Sequence, residues 1–480
     1  MAATSIRYAS KPENKSTIYL VNTGEAPAIK GLKKEQQDFI AAQQANNNSS
    51  YYFPHQDTIV FVSVPEVKKD QLHLTHENCR KAGHVLCGMV NKMKLDTVQI
   101  VNQSAIEQAQ IYFAEGLVLS NYQFIKYFKD AAKKKNSLKQ VIVTGNDATK
   151  KEVDQLAIVA ESLFAVRDMV NEPVLSFNSV DLGKMVLKTA KSYGFKAEVW
   201  NKKKIVANQF GGLLAVNMGS VVEPTFSILE WKPANAKNKA PIVLVGKGVT
   251  YDTGGLSLKP TPDSMDHMKC DMTGAATVLG TFMAIAKAKL NLHVIGLIPS
   301  TDNRINGAEY TPGDIIKMHN GLFVEVLNTD AEGRMILADA LSYASRFKPE
   351  LVVDIATLTG AAARAIGPWG HAIMGNAGEE VLKEFKKAGE EVHERAVEMP
   401  FWEDYAEKMR SSIADLKNVG GADGGAMTAG KFLEFFTDYP YVHNDIAGCS
   451  FTNAEMSYRG KGGTGYGMRF LYRFLKNRAR

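Results

Sequence analysis

Cysteine is scarce: Cys79, Cys87, Cys270 and Cys449 are all that 480 residues contain. None forms a CxxC pair, so neither a disulfide framework nor a cysteine-rich structural zinc site is expected, and the usage suggests a reducing compartment. No run of about 18 uncharged apolar residues occurs, which argues against a membrane span. The opening MAATSIRYASKPENK lacks an apolar core, so a secretory leader is not expected either. These absences point to a cytoplasmic location. An excess of one charge is also missing: 57 basic and 51 acidic residues give a net +6, a weak field over this length. Nucleic acid is permitted as a partner but not expected. There is no internal repeat, no GxSxG elbow, and no GxxxxGK[ST] or GxGxxG in a strand–helix setting. A serine hydrolase and a nucleotide-phosphate loop are therefore disfavoured.

What is present is an ordinary globular composition, 45% hydrophobic and 22% charged, long enough for two or more domains. Residues 1–150 read as a small N-terminal α/β domain whose role, oligomeric or regulatory, is left open by the sequence. Its expected strands are Thr17–Val21, Thr58–Val62, Thr97–Val101 and Gln140–Thr144, each short and β-branched. Its expected helices lie near Glu77–Lys94 and Ala105–Asn121. The polar stretch Gln43–Ser50 reads as an exposed loop. Residues 151–173 read as a linker helix, built on Glu152–Val170 and stopped by Pro173. Residues 174–480 read as a larger C-terminal α/β catalytic domain with a mainly parallel central sheet. The apolar runs Ile242–Val245, His293–Pro299, Phe323–Leu327 and Leu351–Ile355 are near-continuous, as in strands buried on both faces. Helices over Thr273–Lys289 and Arg334–Ser345 separate them.

Charged residues gather just beyond these runs. Gly246–Gly255 (GKGVTYDTGG) follows the first, Met268–Asp271 precedes a helix, and Asn328–Arg334 (NTDAEGR) follows the third. In an open parallel sheet, ligands bind beyond the carboxyl ends of the strands. Lys247, Asp252, Asp271, Asp330 and Glu332 are therefore expected to converge. Four carboxylates brought together would repel, and burying each without a counter-ion costs several kcal/mol. An oxygen-rich set with few histidines suits Mg, Mn or Zn in a carboxylate-bridged pair. Two metals about 3.5–4 Å apart can clamp a water and a substrate oxygen. Lys247 has two readings from the residues alone. It is a cation that neutralises the acids, or a neutral amine ligand whose pKa burial and adjacent dications depress. Asp330 taken alone would be a helix cap. His267 reads as a loop histidine, not a ligand.

At these residues the chain resembles the leucine aminopeptidase (cytosol aminopeptidase) family. NTDAEGR is the most specific match, followed here by Met335 where the family usually has Leu. VGKGVTYDTGGLSLKP at Val245–Pro260, MKCDMTGAA at Met268–Ala276, DIATLTGA at Asp354–Ala361 and HNDIAG at His443–Gly448 are also similar. The likeness runs from about residue 165 to the C-terminus.

The resemblance implies two divalent metals per subunit, Mn or Zn foremost, with Mg and Co admissible. Asp252 and Glu332 would bridge them, Lys247 and Asp271 would complete the tighter site, and Asp330 the more exchangeable one. Lys259 would polarise the scissile carbonyl, and Arg334 would hold a bicarbonate acting as general base towards the bridging water. Met268, Thr357, Leu358, Gly360 and Ala447 would line a mainly apolar first pocket. Cys449 and Ser450, where some relatives carry larger apolar residues, would make it roomier or more polar. The implied activity is removal of the N-terminal residue, preferably leucine or another apolar one, from peptide substrates through a bridging hydroxide. The implied assembly is a homohexamer. A DNA-binding or regulatory role on the same scaffold is the alternative, because some relatives bind DNA. The basic runs Lys133–Lys135 and Lys202–Lys204, however, read as solvated faces.

Overall fold

The structure, a computed structural model, describes residues 4–145 and 148–479. The chain packs as two compact units, Met1–Phe164 with Ala454–Lys461, and Ala165–Asn453 with Gly462–Arg480. The division falls inside one continuous helix, Lys150–Asn171.

The first unit is built on a six-stranded sheet in the order Ser5–Ala9, Gln140–Thr144, Thr97–Asn102, Thr17–Leu20, Thr58–Ser63, Ser50–His55. All neighbours are parallel except the last pair. Two of its features differ from the sequence reading. Ser5–Ala9 is an unforeseen edge strand, and Gln43–Ser50 is not one loop. The helix Lys34–Ala45 runs into that stretch and Ser50 opens a strand, leaving Asn46–Ser49 as the exposed loop. Glutamine and alanine are good helix formers, so polarity alone did not end the helix. The segment Ala454–Lys461, sequence-distant from the rest of this unit, is held by chemistry. Tyr458, 2% exposed, donates to Glu77 Oε2 at 2.9 Å. Glu77 and Glu115 flank the buried Arg80 at 3.3 and 2.6 Å.

The second unit carries a nine-stranded sheet. Its order is Arg395–Glu398, Gly370–Gly375, Tyr441–Asp445, Leu351–Ala356, Ile242–Gly246, Val294–Asn303, Thr225–Trp231, Lys196–Trp200, with Gly248–Asp252 paired to the far end of Val294–Asn303. The four central strands are parallel to one another and fully buried. The run Phe323–Leu327 is not among them. Phe323–Glu325 belongs to a three-stranded side sheet with Ile315–Lys317 and Leu416–Lys417. Val324 and Val326 are buried while Phe323 and Leu327 are 45% and 43% exposed, the alternation of a strand with one covered face. The helix Thr273–Lys287 docks on the ends of the central strands through Gly274. A Cβ there would fall 2.1 Å from Ile355 O and 2.8 Å from Lys247 N. This close approach sets Asp271, just before the helix, beside Lys247.

His371, on the strand Gly370–Gly375, is 1% exposed against the rings of Tyr466 and Phe470. Burial pushes its pKa down to about 4. The folded value lies below the unfolded one, so this stabilisation is complete above pH about 6.5 and is lost as pH falls towards 4, a span of about 3 kcal/mol. His371→Gln should flatten the acid limb of urea midpoints measured from pH 7 to 4.5, and an unchanged limb would contradict the assignment.

Candidate metal centre

Four chain segments meet beyond the carboxyl ends of the central strands. Lys247 follows Ile242–Gly246 directly, and Asp252 ends Gly248–Asp252. Asp271 lies in the 3-10 turns Met265–Met272, and Glu332 opens the helix Glu332–Ala344. Asp330 sits in the preceding turn, where Asn328 Oδ1 accepts its amide at 2.7 Å. Lys247 Nζ is 2.7 Å from Asp271 Oδ1 and 2.9 Å from Glu332 Oε1, and donates to Thr357 O at 2.9 Å. Lys259 Nζ is 2.9 Å from Asp252 Oδ2 and forms a close ion pair with Asp330 Oδ1. Asp252, Asp271 and Glu332, all buried, offer oxygens within 4.8 Å of one another. Gly333 makes room for this: a Cβ there would lie 2.3 Å from Lys247 Cε and 2.6 Å from Nζ.

Four acids face two lysines, so the cluster carries excess negative charge in a buried place. Burial drives the Asp271 carboxyl well above the usual range; Lys247 opposes this, and Glu332 and Asp252 reinforce it. Asp330 is pushed up to about 7 by burial and by Asp252 and Glu332, against the pull of Lys259. Burial alone would lower both lysines, but the surrounding carboxylates outweigh it and hold both above their ordinary value. Three carboxylates face the Lys247 amine, so the protein groups by themselves do not depress it, and the neutral-amine reading needs the adjacent dications as well. The donor set fits divalent cations. It is hard oxygen plus one amine, and Asp271 Oδ2 is buried with no hydrogen-bond partner.

Arg334 is buried, and burial lowers its pKa to about 10. Its Nη1 donates to Asn418 O at 2.7 Å, while Nε is buried without an acceptor, an edge suited to a planar anion. Among the five expected pocket residues, Thr357 reaches the cluster itself, its Oγ1 donating to Asp271 Oδ1 at 2.8 Å. Leu358 and Ala447 are half-buried, and their amides share one acceptor, Asp445 Oδ1. Met268 is half-buried in the 3-10 turns, and Gly360 is exposed at the start of the helix Gly360–Ile366. His267 stacks on Phe451, with Nε2 2.7 Å from Asn453 Nδ2, and takes no part in the cluster.

Several supporting residues escaped the sequence reading. Asn303 Nδ2 donates to Asp252 Oδ1 at 2.8 Å and to Thr329 O at 3.1 Å. Thr329 Oγ1 donates to Gly254 O, and Gly255 packs where a Cβ would lie 2.2 Å from Glu309 Oε1. Asn418 Oδ1 accepts from Leu327 N, and its Nδ2 donates to Asn328 O. Asn303 closes the predicted strand HVIGLIP by a few residues, which is the only signal it offered.

Residues 164–472 match the model of the cytosol aminopeptidase family, catalytic domain. The chain belongs to the cytosol aminopeptidase family. This family consists of metal-dependent aminopeptidases, and its relatives are similar well beyond the motifs. A protein of Chloroherpeton thalassium named "Probable cytosol aminopeptidase" is 40% identical over 392 residues, 80% of this chain and 76% of the relative. One of the same name from Roseiflexus castenholzii is 37% identical over 415 residues, 84% of each chain. Among solved structures, the bottromycin maturation enzyme BotP in complex with Mn superposes with a TM-score of 0.85 at 27% identity, covering 97% of this chain and 99% of that one. No described helix is long and apolar enough to cross a membrane.

The Lys247 seat gives a direct test. Gly333→Ala costs nothing in helix propensity but drives a methyl into the lysine stem. Metal titration should show affinity weakened about 10–100-fold with an unchanged circular dichroism spectrum. Wild-type affinity would contradict the packing argument.

Proposed function

We propose that this protein removes N-terminal residues, preferably leucine or other apolar ones, from peptides with the help of two divalent cations. The observation that carries this reading is the buried cluster of Lys247, Asp252, Lys259, Asp271, Asp330 and Glu332, drawn from distant segments to one end of the sheet. Bound there, divalent cations supply Lewis acidity and an acidified water. In this reading Asp252 and Glu332 would be shared by the two ions, Lys247 and Asp271 would hold one, and Asp330 would hold the other. Manganese is favoured by the Mn-bound solved relative; zinc, magnesium and cobalt suit the same donors.

The remaining residues divide the work. Lys259, less buried than Lys247, stands between Asp252 and Asp330. From there it donates to a carbonyl oxygen as that oxygen gains negative charge. Arg334, whose Nε is buried without an acceptor, would hold a bicarbonate ion, and that ion would supply a general base for the attacking water. A substrate's free α-amine can act as a ligand where an internal amide nitrogen cannot, which restricts cleavage to chain ends. The family resemblance supports a homohexamer, and the relatives' names support a cytoplasmic location. The DNA-binding alternative gains no support. Lys204 pairs with Glu198 and covers the Trp200 ring, and Lys134 pairs with Asp130.

With manganese present, the protein should hydrolyse leucyl-p-nitroanilide and leave the N-acetylated substrate intact. Lys259→Ala should lower kcat about 100–1,000-fold with bound metal retained. Equal cleavage of the acetylated substrate would overturn the exopeptidase reading, and lost metal would make Lys259 a part of the binding site instead.

A further inference from the structure

Asp445 ends the central strand Tyr441–Asp445 and is 1% exposed. Its carboxylate is divided between two segments. Oδ1 accepts from Leu358 N and from Ala447 N, each at 3.2 Å. Oδ2 accepts from Thr359 Oγ1 at 2.7 Å. That hydroxyl accepts in turn from Ala362 N at 3.0 Å, capping the helix Gly360–Ile366. Leu358 follows the strand Leu351–Ala356 and Ala447 follows Tyr441–Asp445, neighbours in the sheet. One buried carboxylate therefore ties together the two chain turns that carry Leu358 and Ala447, two members of the proposed side-chain pocket.

The same short segment is anchored from its other side. Thr357 O accepts from Lys247 Nζ, and Thr357 Oγ1 donates to Asp271 Oδ1. Residues 357–359 thus run from the metal cluster to Asp445. A displacement at the Asp445 end moves Leu358 before it moves the cluster. Three donors converge on the two oxygens, a demand that an acceptor-only carboxylate meets and an amide does not. An asparagine would turn its NH2 either on the Thr359 hydroxyl or on the two backbone amides.

We propose that Asp445 is a positioning residue that fixes the spacing of Leu358 and Ala447, and so the width of the pocket that selects the substrate's first side chain. This rests on the aminopeptidase reading above. A glycyl substrate does not use the pocket and a leucyl substrate does, so the two separate pocket geometry from chemistry.

The test uses the full chain loaded with manganese, with kcat and KM measured on leucyl- and glycyl-p-nitroanilide and bound manganese counted. Asp445→Asn and Thr359→Val should each lower the leucyl-to-glycyl ratio of kcat/KM about tenfold, mainly through KM for the leucyl substrate, with bound manganese at the wild-type level. Thr359→Ser, which keeps the hydroxyl, should hold the wild-type ratio. Should Asp445→Asn not fold, the two Thr359 variants decide alone. An unchanged ratio in Thr359→Val, or equal losses on both substrates, would overturn the proposal. Hydrolysis of neither substrate by the wild type would overturn the aminopeptidase reading on which it stands.

Discussion

Mutual repulsion among buried carboxylates governs this molecule. Asp252, Asp271 and Glu332 lie within 4.8 Å of one another in a place where water is scarce, and Asp330 stands close by. Two lysines offset part of that charge. The rest asks for cations, and the hard donor set selects divalent ones. A fold that gained only stability would not assemble such a cluster, since apolar side chains in the same volume cost less. The catalytic unit therefore gives up local stability at the one place where its sheet can supply a rigid surround.

That surround is a matter of close backbone approach. The central strands are buried on both faces, so their ends are fixed. Gly274 lets a helix touch two of those ends, and Gly333 lets Lys247 cross the start of another helix. Neutral groups complete the work without adding charge. Asn303 holds Asp252, Thr357 holds Asp271 and receives Lys247, and Asn418 receives Arg334. The acids are thereby oriented by hydrogen bonds that do not compete for their remaining lone pairs. Asp445 extends this scaffold away from the acidic cluster to the backbone of Leu358 and Ala447.

Much of this was legible in the sequence, for identifiable reasons. Doubly buried strands are written as unbroken apolar runs, so Ile242–Gly246, Val294–Asn303 and Leu351–Ala356 are found within a few residues. Charges placed just after such runs must gather at one edge, which is why Lys247, Asp252, Asp271, Asp330 and Glu332 could be grouped before any geometry was known. FVEVL misled because its apolar character hides an alternation that only the exposure of Phe323 and Leu327 reveals. Asn303 and Asn418 left no pattern, since a single amide that ties neighbouring segments through hydrogen bonds has no periodicity, and Asp445 lies in the HNDIAG motif but its three hydrogen bonds link segments distant in sequence. The return of Ala454–Lys461 to the first unit depends on Tyr458 meeting Glu77, a contact across nearly four hundred residues that no local signal encodes.

The membership of the cytosol aminopeptidase family and the physical demand of the cluster lead to the same place by separate routes. The most direct measurement is anomalous diffraction from crystals of the intact protein grown with manganese. The account predicts two anomalous peaks about 3.5–4 Å apart among Asp252, Asp271, Asp330, Glu332 and Lys247. No peak there, with the two lysines still paired to the acids, would contradict it.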